Sequence, residues 1–333
     1  MSTQITNPTI HLSQATLLTP VIDYLHKRGI SVEDHLHEAG IAPIPLEEKT
    51  TPLSTRMIYR FINRICETEG IEDIGLLVGQ LTSLQMMGEF GQWMLNADTI
   101  QNYLIRGCAH INHVSSVDYY WLVEEPGHMR FCASVAGLDE PDRIQDQLYL
   151  LLITINTIGE ILGRTWQPSE IVIPAMSVRT ASKLAESLPE SRIIRQGSHA
   201  SFLIPNELLD YPIAAPASPV PALDFALPSD YLTSVLQIIK VLVVVGKPTI
   251  RDAADAVGTS PRTLQRTLTR LGTSFTQLVV DARIELAKEY LQDRNRSISE
   301  IANDLGYGDI SNFSRAFRRA TGVPPRTYRK SLT

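Results

Sequence analysis

Residues 249–271, TIRDAADAVGTSPRTLQRTLTRL, are repeated in outline by residues 297–320, SISEIANDLGYGDISNFSRAFRRA. Up to a central glycine, Gly258 or Gly306, the copies align at an offset of 48 residues, and beyond it at 49. Glycine readily adopts the left-handed conformation that ends a helix, so each copy predicts a helix, a tight turn and a second helix. The repeat therefore predicts two helix-turn-helix motifs in an all-α region.

The second helix of each copy combines an apolar pair with a polar outer face. Leu264 and Leu268 in the first copy correspond to Phe313 and Phe317 in the second, each pair at i, i+4 spacing. The opposite face carries Arg, Gln, Asn and Ser side chains, which can hydrogen-bond base edges in the major groove. A plain helical packing module with solvated basic faces is the alternative interpretation.

A spacer separates the two copies. Residues 274–293, SFTQLVVDARIELAKEYLQD, have apolar positions at three- and four-residue steps and predict one amphipathic helix of about 20 residues. Such a helix is ~30 Å long at ~1.5 Å per residue. This length approaches the ~34 Å between successive major-groove faces, so one chain could contact two adjacent groove segments.

Charge is distributed unevenly along the 333 residues. The net charge of −6 alone argues against a nucleic-acid partner. Residues 229–333, however, contain 16 Lys and Arg against 10 Asp and Glu, a net of +6, while residues 1–228 carry −12. The proline-rich stretch 212–228 lies between the two parts and predicts a linker. This asymmetry favours nucleic-acid contact by the C-terminal part.

The C-terminal part resembles the AraC/XylS family of bacterial transcription regulators over about residues 231–330. The resemblance rests on R-x-L-x-R at 262–266, R-x-x-x-A at 283–287, FSRAFRR at 313–319 and a closing TGVPP…YR. It implies sequence-specific binding of promoter DNA, activation or repression of transcription with activation favoured, and contact with RNA polymerase. The base-reading positions that it implies are Arg262, Gln265, Arg266, Ser311, Asn312 and Arg315. The backbone contacts that it implies are Arg318, Arg319 and Arg326.

The N-terminal part mixes predicted helices and strands, which indicates an α+β fold. Helices are predicted at 13–29, 31–39, 54–68, 73–79, 99–117 and 143–163. Strands are predicted at 117–124, 129–135, 170–174 and 200–204, the first two as a hairpin. Segments 88–104, 166–174 and 200–213 resemble the arabinose-binding-type sensor domain of one branch of the same family. This resemblance implies a small-molecule effector without identifying it.

We therefore expect three parts: a regulatory domain at 1–211, the linker at 212–228 and a DNA-binding domain at 229–333. Within the last, the helix-turn-helix motifs are expected at about 250–271 and 298–320.

Six side chains that combine apolar bulk with a polar tip are candidates for the effector pocket. They are Trp93, Tyr103, His110, Tyr119, Tyr120 and Trp121. Alternatively, alternate members of 119–121 simply point into the core of a strand. His110 and His113 share a helical spacing, but no cysteine or carboxylate stands at ligand spacing, so we expect neither a metal nor another cofactor.

Other function classes are disfavoured by the motifs that the chain lacks. It contains no G-x-S-x-G, phosphate loop or H-E-x-x-H, and so we do not expect an enzyme. Cys66, Cys108 and Cys132 are far apart and predict neither a zinc site nor a disulfide. No secretory signal or membrane span is predicted, which points to a cytoplasmic protein. The alternatives are a constitutive DNA-binding protein whose N-terminal part only forms a homodimer, and an enzyme targeted to DNA.

Overall fold

The computed structural model describes residues 9–42, 51–82, 84–138, 140–214 and 226–332. Residues 215–225, the greater part of the predicted linker, lie outside these ranges.

A small two-stranded sheet lies near the N-terminus. β1 (Leu12–Gln14) pairs antiparallel with β2 (Pro52–Ser54). The neighbouring helices are α1 (Thr19–Lys27), α2 (Glu33–Ala39), α3 (Thr55–Glu69) and α4 (Ile74–Gly79). In α3 the apolar side chains recur every four residues, and Met57, Phe61 and Ile65 are all buried on one face.

A five-stranded mixed sheet follows, in the order β3-β4-β7-β5-β6. Its strands are β3 (Asp118–Glu125), β4 (His128–Val135), β5 (Glu170–Pro174), β6 (Arg192–Gly197) and β7 (Ala200–Pro205). β5 and β6 are parallel, and the other pairs are antiparallel. The helices of this region are α5 (Gly88–Leu95), α6 (Ile100–His110), α7 (Glu140–Ile161), α8 (Val178–Ser187) and α9 (Asn206–Leu209). The long helix α7 packs on β4 and β7.

In the described residues of the C-terminal part, every regular element is a helix. Its helices are α10 (Tyr231–Val245), α11 (Ile250–Val257), α12 (Pro261–Arg270), α13 (Phe275–Tyr290), α14 (Ile298–Asp304), α15 (Ile310–Thr321) and α16 (Pro325–Ser331). The α11–α12 and α14–α15 pairs are the two predicted helix-turn-helix motifs, joined by α13. The predicted fold class, α+β followed by all-α, is thus confirmed.

Two clusters of buried apolar side chains hold the molecule together. One lies between the five-stranded sheet and the helices around it and draws on residues 76–209. The other joins buried residues of 10–78 to buried residues of 231–317. We call this second cluster the shared core. The beginning of the chain and the C-terminal helices therefore exclude water from a common interior.

Three predicted helices differ from those observed. The one expected at 13–29 is replaced by β1, a 3-10 turn (Ala15–Leu18) and α1, because Ser13 pairs with Leu53 and a new helix starts around Pro20. The one expected at 99–117 ends at His110 and continues as a 3-10 turn, Ile111–His113.

The spacer helix is also shorter than predicted. Ser274 accepts a hydrogen bond from the Gln277 N–H at 3.1 Å and is the N-cap rather than part of the helix. At the other end, Asp293 accepts from the Asn295 N–H at 2.9 Å, a local bond that competes with helix continuation. The 16 residues of α13 span ~24 Å instead of ~30 Å.

Three further features concern the described residues as a whole. None of their helices is both long enough and apolar enough to cross a lipid bilayer. The three cysteines are free thiols, and burial raises the pKa of each to about 11. Among the described residues, no group of three or more potential ligand side chains is arranged to hold a metal ion.

Candidate nucleic-acid interface

The first helix-turn-helix is fixed by its caps. Thr249 and Asp252 form a reciprocal capping box: the Asp252 N–H donates to Thr249 Oγ1 at 3.2 Å, and the Thr249 N–H donates to Asp252 Oδ2 at 2.7 Å. The helix ends at Gly258 with φ +81°, a conformation that glycine adopts without strain. Ser260 then caps α12 by accepting from the Thr263 N–H at 3.1 Å. These caps set the angle at which α12 leaves the turn.

The second helix-turn-helix repeats this local chemistry. The Glu300 N–H donates to Ser297 Oγ at 3.1 Å, and the Ser297 N–H donates to Glu300 Oε2 at 2.7 Å. Gly306 has φ +74°. Asp309 starts α15 by accepting from the Asn312 N–H at 2.7 Å. The sequence repeat therefore corresponds to a structural repeat.

The inner faces of α12 and α15 are anchored in the shared core. Leu264 and Leu268 are fully buried, as are Phe313 and Phe317, whose ring centroids are 5.8 Å apart. Because these pairs occupy one side of each helix, the other side faces solvent.

All nine predicted DNA-contacting side chains are exposed. Those on α12 are Arg262, Gln265 and Arg266, and those on α15 are Ser311, Asn312, Arg315, Arg318 and Arg319. Arg326 lies on α16. Their contact with DNA stays a prediction.

Hydrogen bonds order the exposed face of α15. The side chain of Arg315 donates to Asn312 Oδ1, and the Asn312 amide donates to the carboxylate of Asp309. This row of three hydrogen-bonded side chains begins with Asp309 at the N-terminus of α15, where the helix dipole stabilises a carboxylate. Two predicted base-reading residues are thereby held side by side before any DNA is present.

A buried contact joins the first helix-turn-helix to the start of the chain. The hydroxyl of Ser54, at the end of β2, donates to the carbonyl oxygen of Ala256 in α11 at 2.6 Å. Next to it, a Cβ built on Gly258 would lie 3.0 Å from Arg56 Cδ. We call this contact the junction. It satisfies one of the last carbonyls of α11, which has no partner within the helix.

The six predicted pocket residues do not form a single group. The rings of Trp93 and His110 pack edge to face at 4.8 Å, with the Arg106 guanidinium 5.0 Å from the indole. Burial lowers the pKa of His110, and the charges of His113 and Arg106 lower it further. Tyr103 is buried in the core of the sheet region, against which Trp93 and Tyr120 also pack.

The three consecutive aromatic residues of β3 alternate between the faces of the sheet. Tyr120 packs on Phe131 at 5.1 Å, while Trp121 packs on His199 at 4.7 Å. Tyr119 is 52% exposed. The role of all six residues in ligand binding stays a prediction.

A cavity lies elsewhere in the N-terminal part, between α1, α3, α4, the start of β3 and α7. We call it the carboxylate cavity, because Asp118 and Asp146 line it. Burial raises the pKa of Asp118 well above its usual range, and that of Asp146 to about 6. Neither aspartate stands in a recognisable motif. The only sequence signal is an acid, Asp146, two residues before the apolar run of α7.

Two family models match the chain. The arabinose-binding domain of AraC transcription regulators (N-terminal) matches residues 29–213, more than half of the chain. A helix-turn-helix domain matches residues 253–331.

Curated relatives align with part of the chain. The ornithine utilization regulator of Pseudomonas aeruginosa is 44% identical over 84 residues, which is 25% of this chain and 25% of that protein. The transcriptional activator RhrA of Rhizobium meliloti is 38% identical over 87 residues, 26% of this chain and 28% of that protein. The aligned part spans about a quarter of the length of each relative.

Among solved structures, the transcriptional regulator CdpR from Pseudomonas aeruginosa aligns over 95% of this chain and 98% of its own, with 20% identity and a TM-score of 0.42. The matched families and relatives are transcription regulators, not enzymes. Since the N-terminal family model covers more than half of the residues and a helix-turn-helix model follows it, the chain belongs to the AraC-type transcription regulators that carry an arabinose-binding-type N-terminal domain.

Proposed function

We propose that this protein is a ligand-responsive transcription regulator that binds promoter DNA sequence-specifically through both helix-turn-helix motifs. The observation that carries this proposal is the repetition, within one chain, of a capped helix with a fully buried inner pair and an exposed Arg-rich outer face. A single such helix is compatible with simple packing. Two of them, in a segment with net charge +6, favour nucleic-acid contact.

The two outer helices would read adjacent major-groove segments of one duplex. Arg262, Gln265 and Arg266 would contact bases in one segment, and Ser311, Asn312 and Arg315 in the next. Arg318, Arg319 and Arg326 would contact phosphates. The helix α13 would set the separation of the two contacts.

The remaining parts of the proposal concern regulation. Residues 1–211 would hold the effector and residues 229–333 would bind DNA. Residues 212–228 would link these two domains. The junction supports communication between effector binding and DNA binding, because a residue of β2 is hydrogen-bonded directly to α11. The regulator would activate transcription in the cytoplasm by contacting RNA polymerase, and a homodimer would bind longer promoter sites. The name of the Rhizobium relative, a transcriptional activator, favours activation.

Selection of random-sequence duplexes by the full-length protein tests the DNA-binding proposal. We expect enrichment of a bipartite motif whose halves are centred about one helical turn, ~10 base pairs, apart. Enrichment of no motif, with the same weak binding to all duplexes, would contradict sequence-specific recognition.

A further inference from the structure

The carboxylate cavity is partly open and mainly apolar. Its volume is about 70 Å³, several times the ~10–15 Å³ that a single water requires. Apolar side chains from four helices form most of its wall: Val21, Ile58, Val78 and Leu150. Polar groups are contributed mainly by Asp118 and Asp146 with their neighbours Ser115 and Tyr59. An apolar pocket with a few convergent polar groups is the usual form of a small-molecule site.

Asp118 is the least satisfied of these groups. Its side chain is only 5% exposed, and its Oδ1 has no hydrogen-bond partner among the described residues. The hydroxyl of Ser115 is a donor to the same carboxyl group. Because Asp118 lines the cavity, the unpartnered oxygen belongs to a group that a bound molecule can reach. A buried carboxylate without a cationic partner is costly.

The charges around the cavity all have one sign. Burial raises the pKa of both acids first; the charge of Asp146 raises that of Asp118 further, and the charge of Asp142 raises that of Asp146. Among the described lining residues there is no Lys, Arg or His. The cavity therefore holds two acids that no cationic side chain of its described lining neutralises.

We propose that the carboxylate cavity binds a small organic cation, whose protonated amine lies between Asp118 and Asp146 while its hydrocarbon part contacts Val21, Ile58 and Val78. The amine would donate to the free oxygen of Asp118. An organic cation fits better than a metal ion, because Ca²⁺ takes six to eight oxygens and the walls are largely hydrocarbon. This inference gives the effector its chemical class. Binding of the cation is independent of the proposed function, and only the effect of the cation on DNA binding rests on that function.

A chain of hydroxyl groups leads from the cavity to the junction. Ser13 Oγ donates to Ser115 Oγ at 3.3 Å and lies 3.2 Å from Thr55 Oγ1. Thr55 begins α3 and follows Ser54, which holds Ala256 of the first helix-turn-helix. A ligand that competes for the Ser115 hydroxyl would therefore act on hydrogen bonds that reach Thr55, the residue directly after Ser54 of the junction.

The binding test uses the full-length protein and three probes of equal length: n-butylamine, 1-butanol and butyrate. We expect n-butylamine alone to raise Tm, by roughly 2 °C or more at saturating concentration. Asp118→Asn and Asp146→Asn should each weaken amine binding, measured by calorimetry, at least about thirtyfold. Asp98→Asn, which neutralises an exposed acid outside the cavity lining, is the matched control and should bind as the wild type does.

Several results would overturn the proposal. These are equal stabilisation by butanol and butylamine, stabilisation by butyrate alone, no response to alkylamines of two to six carbons, or unchanged amine affinity in both Asn variants. The regulatory part is tested separately. If butylamine binds but leaves affinity for the selected duplex unchanged, the cavity does not control DNA binding. If no duplex is selected although butylamine binds, the proposed function fails while the site stands.

Discussion

Arg266 and Arg315 occupy equivalent places in the two repeated motifs, 49 residues apart. Each follows a buried residue of its helix by two positions, Leu264 or Phe313, and is itself exposed. A guanidinium in this position can form two hydrogen bonds with guanine.

Arg266→Ala and Arg315→Ala should each reduce discrimination between the selected duplex and random DNA. We expect a loss of about 1–3 kcal/mol per variant, since each removes one bidentate base contact. Binding titrations with duplexes altered in one half-site measure this loss of discrimination. Each variant should lose its sequence preference in a different half-site. Arg294→Ala removes the same charge from an exposed turn and should leave the preference intact. Equal losses in all three variants would indicate that these arginines contribute only charge.

Asp118 gives a prediction about pH in the absence of ligand. Its pKa is raised in the folded protein, so the folded state binds the proton more tightly than the unfolded state does. The free energy of unfolding should therefore fall as pH rises from about 4 through 7. Asp118→Asn should reduce this fall and be more stable than the wild type at pH 8. Urea unfolding of both proteins across this range measures it, and an Asn variant that is less stable at pH 8 would contradict the assignment.

The two sites differed in how far the sequence could predict them. The residues of the nucleic-acid interface lie within two short segments, where helical period and caps determine which side chains face outward. The carboxylate cavity combines Ser13, Tyr59, Asp118 and Asp146, which come together only through tertiary packing. Local periodicity carries no information on such a combination.

At the scale of elements, Ser54 connects β2 to α11. Because its hydroxyl is the partner of a buried carbonyl, Ser54→Ala should cost about 1–3 kcal/mol of unfolding free energy. Ser331 makes a similar bond to the Tyr328 carbonyl at 2.7 Å, but it is exposed, and water can replace it. Ser331→Ala should therefore change stability by less than ~0.5 kcal/mol. Urea denaturation compares the two, and similar small effects would show that the junction contributes little.

Helices with caps and a regular apolar face were predicted best. The N-caps Ser260, Ser297 and Asp309 directly precede α12, α14 and α15. The strands β1 and β2 have three residues each, too few to show an alternation. β6 is an edge strand with no buried residue, so its sequence has no alternating apolar pattern to detect.

At the scale of the whole molecule, the shared core determines how the C-terminal part is stabilised. α10 packs on β2 as well as on α13. A Cβ built on Gly40 would lie 3.5 Å from Leu242, so this leucine faces the N-terminal segment. Leu242 is 7% exposed in the full chain.

The isolated fragment 229–333 should therefore expose apolar surface and bind the dye ANS. Leu242→Gln should reduce dye binding by the fragment, yet destabilise the full chain by at least ~2 kcal/mol. Fluorescence of the fragment and urea unfolding of the full chain measure these opposite effects. A fragment that unfolds cooperatively without binding dye would show that the C-terminal part does not depend on residues 10–78.

The shared core also restricts how such regulators can be recombined. A chimera that replaces residues 1–211 with the sensor of another protein would keep the proline-rich segment but lose the side chains of 10–78 that cover α10 and α11. An exchange of effector specificity would succeed more readily if about the first 80 residues stayed with the DNA-binding part. Only the five-stranded sheet and its helices would then be replaced. The same constraint acts on natural gene fusion, where the start of the chain and its last hundred residues would have to be inherited together.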